Sequence, residues 1–300
     1  MKQVVHIEGS DKMKPHYINR IKEVYPDLEI EKAEVNDIGQ NNDVLIVNDS
    51  LIFRFPKYQA GIDNMLKETD ILQKLKADKH IPAPVPIYQS FEPLELGNVF
   101  TGYRMIEGSP LSGEEFRECA DDLILKLRSL SLVNVLIRLH AFPVDEFAEG
   151  PAAIHDEYKD LYNRIQVNLY PFMRHDAQEN VSKLFEDFFN RIDDFYFTSA
   201  LIHGDFGASN LLWNSKTFEL AGIIDFGESG PGDPAYDFAG ILASYGYDFF
   251  KRCIDNYHND DPGMEKRAVF YQKTFALQEA LHGVENGDST AFASGMRGYM

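Results

Sequence analysis

Two short motifs in the last third of the chain restrict what it can fold into. From Ala200 to Ala239 the sequence reads ALIHGDFGASNLLWNSKTFELAGIIDFGESGPGDPAYDFA. His-Gly-Asp-x-x-x-x-Asn falls at His203, Asp205 and Asn210, and fifteen residues later Asp225-Phe226-Gly227 closes the apolar run from Ala221 to Ile224. Between them, Leu211 to Trp213, a turn through Asn214 to Lys216, and Leu220 to Ile224 predict a hairpin of two short strands. Such a hairpin brings Asn210 and Asp225 to the same open end.

The spacing suits phosphoryl transfer, which needs an in-line hydroxyl, screening of phosphate charge and a carboxylate near the departing proton. Asp205 is the candidate for that carboxylate. Magnesium takes a few hard oxygen ligands beside water and phosphate oxygens, so Asn210 and Asp225 are its candidate ligands. Asp and Asn are also ordinary turn residues, and either motif alone reads as structural punctuation. The two together, in this order and with a strand pair between, carry the signal.

Of the 300 residues, 44% are hydrophobic and 26% charged, which suits two modest soluble domains or one elaborate one. Cys119 and Cys253 lie far apart without metal spacing, so neither a disulfide framework nor a zinc site is expected. The start has no apolar leader, and no run approaches the roughly 18 apolar residues of a membrane span, so a cytoplasmic protein is expected. A net charge of −19 argues against nucleic-acid and anionic-membrane partners. It is compatible with a cationic small-molecule substrate, and equally with solubility alone.

Taken in order, Lys14 to Tyr25 reads as an amphipathic helix ended by Pro26, followed by strands over Leu28 to Val35, Val44 to Val47 and Leu51 to Phe55. The polar turn between the first two strands is where a nucleotide loop belongs, and Gly39 is its only glycine. Leu51, Phe53 and Phe55 share one strand face, leaving Arg54 and Ile52 on the other. A helix from about Asp63 to Lys76 carries Glu68, and Arg54 with Glu68 is the candidate cation–carboxylate pair for the nucleotide phosphates, in a place where lysine is usual. Lys57 is the fallback cation, and a surface salt bridge is the plainer alternative. Ile81-Pro82-Ala83-Pro84-Val85-Pro86 reads as a rigid connector before strands at Ile87 to Phe91 and Phe100 to Ile106.

Beyond Gly108-Ser109-Pro110 the chain reads as helical until Ala200. Leu123, Leu127, Leu130, Val133, Ile137 and His140 form one expected core stripe. Ile154, Tyr158, Leu161, Ile165 and Leu169 form a second, and Val181, Leu184, Phe185, Phe188 and Ile192 a third. His140 reads as a cap or packing residue. Asp233 and Asp237 read as structural, at the capped start of a helix running to Phe250. The tail from Gly263 to Leu281 reads as a last helix, ending near Gly283 to Asp288. The fold class is therefore α+β, divided into an N-terminal nucleotide-binding lobe, residues 1–104, and a helical C-terminal lobe, residues 105–300, with the catalytic loop.

On these residues the chain resembles the aminoglycoside phosphotransferases, most nearly those modifying the 2″-hydroxyl, and is similar to the macrolide kinases. The likeness runs through Leu51-Ile52-Phe53-Arg54-Phe55-Pro56-Lys57, Glu68 in KETDIL, Phe100-Thr101-Gly102-Tyr103-Arg104, LIHGDF, and GIIDFGES with DPAYDF. The resemblance implies a two-lobed, protein-kinase-like fold with a five-stranded antiparallel sheet. It implies a magnesium-dependent kinase that moves phosphate from GTP or ATP to an aminoglycoside hydroxyl, with a macrolide, amino sugar or amino alcohol as alternative acceptors. It gives Asp205, Asn210, Asp225, Arg54 and Glu68 the roles above, base recognition to the backbone of Arg104 and Ile106, and to Tyr103 the position that favours guanine. Several relatives follow the DP-x-x-D segment with clustered acids that hold substrate amines. Here Leu242-Ala243-Ser244-Tyr245-Gly246 is neutral, and Glu279, Glu285 and Asp288 are the candidate replacements. A monomer is expected. A nucleotide-binding pseudokinase and a metal-dependent hydrolase using His203, Asp205 and Asp225 are the competing classes.

Overall fold

A computed structural model describes residues 6–8, 14–36, 41–119, 121–143, 151–191, 197–257 and 261–300. The chain opens with β1 (His6–Glu8), α1 (Lys14–Val24), β2 (Lys32–Asn36), β3 (Asn42–Val47), β4 (Leu51–Pro56), α2 (Gln59–Leu75), β5 (Tyr88–Ser90), β6 (Phe100–Arg104) and β7 (Ser109–Pro110). Four helices follow, α3 (Gly113–Glu118), α4 (Asp122–His140), α5 (Pro151–Asn168) and α6 (His175–Phe189). Then come β8 (Ala200–Ile202), β9 (Leu211–Trp213), β10 (Leu220–Ile223), β11 (Gly230–Gly232), α7 (Ala235–Tyr245), α8 (Tyr247–Asn256), α9 (Met264–Asn286) and α10 (Ser289–Met296). By contact the chain forms two compact units, residues 1–110 with 210–229, and residues 111–209 with 230–300. Among the described residues no helix is long and apolar enough to cross a membrane.

In the first unit the sheet order is β1-β2-β3-β4-β6-β5. Strands β2 to β6 pair antiparallel, and β1 adds a sixth strand parallel to β2, reached through a connection that contains α1. One sheet face buries Leu45, Val47, Leu51, Phe53, Phe55 and Phe100 against Tyr17 and Ile21 of α1. The Tyr17 ring stacks on Phe55 at 4.0 Å between centroids. Helix α2 starts at Gln59, four residues before the expected Asp63, with no side-chain cap at Tyr58 to signal it. The proline run from Ile81 to Pro86 is neither helix nor strand. A smaller sheet, β10-β9-β7, contains the expected hairpin together with the short strand β7.

Among the described residues the second unit is helical apart from the antiparallel β8–β11 pair and its connecting loops. Helix α4 departs from its expected face. Leu123, Leu127, Leu130 and Ile137 are exposed, while Leu132, Val133, Leu136 and Leu139 are buried. Apolar residues surround most of this helix, so spacing alone does not select the side that meets the core. The stripes on α5 and α6 do bury Tyr158, Ile165, Leu169, Val181, Phe185 and Phe188; Ile192 lies outside the described residues. The helix expected from Asp233 to Phe250 is two helices, broken at Gly246, whose φ of +83° is open to glycine and strained for other residues. Helix α9 ends at Asn286, inside the expected Gly283 to Asp288 stretch, and α10 follows under an Asp288 cap.

Candidate active site

In the first unit, β4 carries Arg54 on the face away from the aromatic core, paired in register with Thr101 of β6. Helix α2 brings Glu68 to it, and both side chains are more than nine-tenths buried. Arg54 Nη1 donates to Glu68 Oε1 at 2.5 Å, and Arg54 Nη2 donates to Asp225 Oδ1 at 2.9 Å. The Phe226 amide donates to the same Glu68 Oε1 at 3.2 Å. Burial opposes the charge on Arg54, but Glu68, with Tyr103 and Asp225 behind it, outweighs burial and raises the guanidinium pKa. Tyr103 is buried and hydrogen-bonded to Arg54; burial pushes its hydroxyl pKa up and Arg54 pulls it back.

The hairpin closes as its sequence suggests. Leu211 pairs with Ile223, and the Ile224 amide donates to the Asn210 carbonyl at 3.0 Å, so Asn210 and Asp225 flank one end of the strand pair. Gly222 permits a close approach, because a Cβ there would stand 2.6 Å from Ile106 Cγ2. Asp225 adopts a left-handed backbone with φ of 66°, which turns the chain sharply out of β10. An amide oxygen and a carboxylate are the kind of hard-oxygen donors that magnesium takes, and the hairpin brings the residues that carry them to one end.

In the second unit, β8 leads into the loop that carries Asp205. Asp237 of α7 is completely buried beneath it. Its Oδ2 accepts from the His203 amide at 2.9 Å, and its Oδ1 from the Gly204 amide at 3.0 Å. The Asp205 amide donates to His203 Nδ1 at 3.2 Å, so that nitrogen is an acceptor and His203 is held inside the loop. The Ala208 amide donates to Ser244 Oγ at 2.9 Å. Gly240 lets α7 lie against the loop, since a Cβ there would fall 2.5 Å from the Phe206 carbonyl oxygen. The side chain of Asp205 stands at an exposed position on this braced turn.

A model of the phosphotransferase enzyme family matches residues 32–270. The chain belongs to this family. A viomycin phosphotransferase of Streptomyces vinaceus is 33% identical to this phosphotransferase over 275 residues, covering 87% of this chain and 90% of that protein. The GDP complex of wild-type aminoglycoside 2'-phosphotransferase-IIIa has a TM-score of 0.83 and 26% identity over 95% of this chain and 96% of that one. A macrolide 2'-phosphotransferase from Brachybacterium faecium shares the fold, with a TM-score of 0.72 at 16% identity over 92% and 95% of the two chains. The phosphotransferase is thus an enzyme with an α+β, two-lobed, protein-kinase-like fold.

The other candidate residues of this phosphotransferase are distributed as follows. Gly39 lies outside the described residues. Arg104 ends β6 and pairs with Leu51, and the next amide, of Met105, donates to the Ser50 carbonyl at 2.8 Å. Ile106 packs against Gly222. Glu279 is exposed on α9. Glu285 receives two hydrogen bonds from Arg164, at 3.0 and 2.6 Å, and Asp288 accepts the Thr290 and Ala291 amides as the α10 cap. Asp233 receives Arg267 at 2.6 and 3.0 Å and Tyr271 at 2.8 Å, all buried.

Sequence reasoning gave no role to Tyr236 and Glu157. The Tyr236 hydroxyl pKa is pushed up to about 12, chiefly by burial, with a hydrogen bond to Gln278 opposing the rise and the charges of Glu157, Asp205 and Asp237 adding to it. Glu157 and Asp205 therefore bear on one hydroxyl, although 48 residues separate them in the sequence. Ser244 also carries no signature in the sequence, because a serine in a neutral stretch looks like any other until a loop amide points at it.

Proposed function

We propose that this phosphotransferase moves the γ-phosphate of GTP or ATP to a hydroxyl of an aminoglycoside. The observation that carries the reading is the Arg54 guanidinium shared between Glu68 and Asp225, in a chain that also has the Asp205 and Asn210 spacing. Arg54 presents charge to the nucleotide phosphates while Glu68 fixes its orientation. Asp205 orients the acceptor hydroxyl and receives its proton. Asn210 and Asp225 would hold magnesium, which when bound neutralises charge on the transferring phosphate. The base would lie along the backbone of Arg104 and Ile106, with Tyr103 favouring guanine and the Gly39 turn near the phosphates. In this reading residues 1–104 form the nucleotide lobe and 105–300 the acceptor lobe.

The negative chain attracts a cationic acceptor. Among Glu279, Glu285 and Asp288, Glu279 is the first to test, since the charge of Glu285 is shared with Arg164 and that of Asp288 with helix amides. The protein acts as a cytoplasmic monomer with no nucleic-acid or membrane partner. The viomycin phosphotransferase, at 33% identity, supports including viomycin among the acceptors. The pseudokinase reading is weakened by the presence of Asp205, Asn210 and Asp225, and the hydrolase reading by a His203 that is buried and committed at Nδ1.

The test is phosphate transfer to aminoglycosides, macrolides and viomycin, with GTP and ATP in parallel, read by product mass. One added phosphate on an aminoglycoside is expected, with GTP used at least as well as ATP. Asp205→Ala should lower kcat by on the order of 1,000-fold with nucleotide affinity nearly unchanged. Preserved turnover in that variant would overturn the assignment.

A further inference from the structure

We propose that His140 and Tyr257 are positioning residues for the loop that carries Asp205, acting on it through Asp237. The kinetic part of the test rests on the kinase reading; the exchange part does not.

Three helices of the second unit meet at Asp237. Beyond the two loop amides, Asp237 Oδ2 lies 3.0 Å from His140 Nε2, and His140 Nδ1 lies 2.8 Å from the Tyr257 hydroxyl. The chain of bonds therefore runs from the end of α8, through the last turn of α4 and α7, to the amides of residues 203 and 204. A fully buried carboxylate needs donors on its oxygens. Nε2 must then carry a proton, and Nδ1 is paired with the Tyr257 hydroxyl. Burial, then the charges of Asp237, Asp261 and Asp233, raise the pKa of the Tyr257 hydroxyl and keep it a donor. Packing supports the same arrangement. The Tyr257 ring meets His140 edge-on at 5.6 Å and Phe238 edge-on at 4.9 Å between centroids.

The end of this chain distinguishes it from ordinary core packing. Asp237 bonds the two residues immediately before Asp205, and the second of them, Gly204, has φ of +81°. The direction of the Asp205 side chain thus follows the Asp237 carboxylate, whose third donor has its ring orientation set by Tyr257. Removing the Tyr257 hydroxyl leaves Nδ1 without its partner and frees the imidazole to turn.

The test uses the full chain with Tyr257→Phe, His140→Gln and His140→Leu. Gln places a side-chain N–H near the position of Nε2, whereas Leu removes both bonds. In Tyr257→Phe, the His203 and Gly204 amides should exchange on the order of 10-fold faster, with exchange across the remaining core unchanged. The same variant should lose on the order of 10-fold in kcat, with KM for nucleotide and acceptor unchanged, as expected for a misplacement below the 1 Å that costs roughly 100-fold. His140→Gln should recover part of what His140→Leu loses. Unchanged exchange at residues 203 and 204, acceleration spread evenly over the core, or faster loop exchange with unchanged kcat would each overturn the proposal. If wild-type protein transfers no phosphate, the kinase reading fails and loop exchange alone decides the relay.

Discussion

The Phe226 amide donates to Glu68 Oε1 at 3.2 Å, so the carboxylate that pairs with Arg54 also holds the segment bearing Asp225. Glu68 is thereby both counter-ion and backbone anchor. Arg54 completes the loop of contacts by donating to Asp225. Each member of the cluster fixes the other two, which makes the cluster sensitive to loss of any one.

Glu68→Ala should destabilise the protein by about 3 kcal/mol, because it leaves a buried guanidinium with one half-exposed partner in place of two carboxylates. Chemical denaturation measures the loss. Adding Arg54→Met in the Glu68→Ala background should restore part of it by removing the uncompensated charge, and a further loss would contradict the account.

Arg54→Lys keeps the charge but replaces two separate donor nitrogens with one ammonium, which cannot reproduce the Nη1 and Nη2 bonds to Glu68 and Asp225. Folding should change little. Steady-state kinetics should show kcat/KM for the nucleotide lower by roughly 10-fold; full activity would mean that the second donor is dispensable.

The sequence was most informative where chemistry and local geometry coincide. The Asp-x4-Asn and Asp-Phe-Gly pair, with the apolar runs between, gave the hairpin and the common end of Asn210 and Asp225, because strand period and turn residues are local signals. Arg54 and Glu68 were readable for a related reason, strand alternation setting Arg54 apart from Phe53 and Phe55. The support behind Asp205 was not readable. The sequence marks Asp237 only as a helix-start residue, but its partners are backbone amides 34 and 33 residues earlier and an imidazole 97 residues earlier. No spacing rule reports an amide that points at a carboxylate. The buried face of α4 is not legible in the sequence because its leucines surround the helix, and only tertiary packing selects among them.

The Arg164–Glu285 pair predicts a pH effect on stability. The hydrogen bond from Arg164 holds the Glu285 carboxyl below the usual glutamate value. Its folded pKa is thus lower than its unfolded pKa of about 4.3, so its contribution is present at neutral pH and lost as pH falls through the folded value. Both groups are largely solvated, so the effect is small. Melting temperatures of wild type and Glu285→Gln should differ slightly near pH 7 and converge below about pH 4. A gap that widens on acidification would be the wrong sign.

Gly240→Ala tests whether the seating of the Asp205 loop depends on its approach to α7. A methyl group at residue 240 would lie 2.5 Å from the Phe206 carbonyl oxygen and 2.8 Å from its carbonyl carbon. Backbone cannot rotate aside as a side chain can, so either the loop or the helix must shift. Alanine favours helix over glycine by roughly 1 kcal/mol, which offsets part of the overpacking cost. Stability should therefore fall by only about 1–2 kcal/mol. Activity should suffer more, because Phe206 is next to Asp205: a displacement approaching 1 Å predicts on the order of 100-fold lower kcat. Gly230→Ala is the control, since nothing lies within 4 Å of a Cβ there. A Gly240→Ala enzyme with wild-type kcat would show that the loop tolerates displacement, and that the close approach serves packing alone.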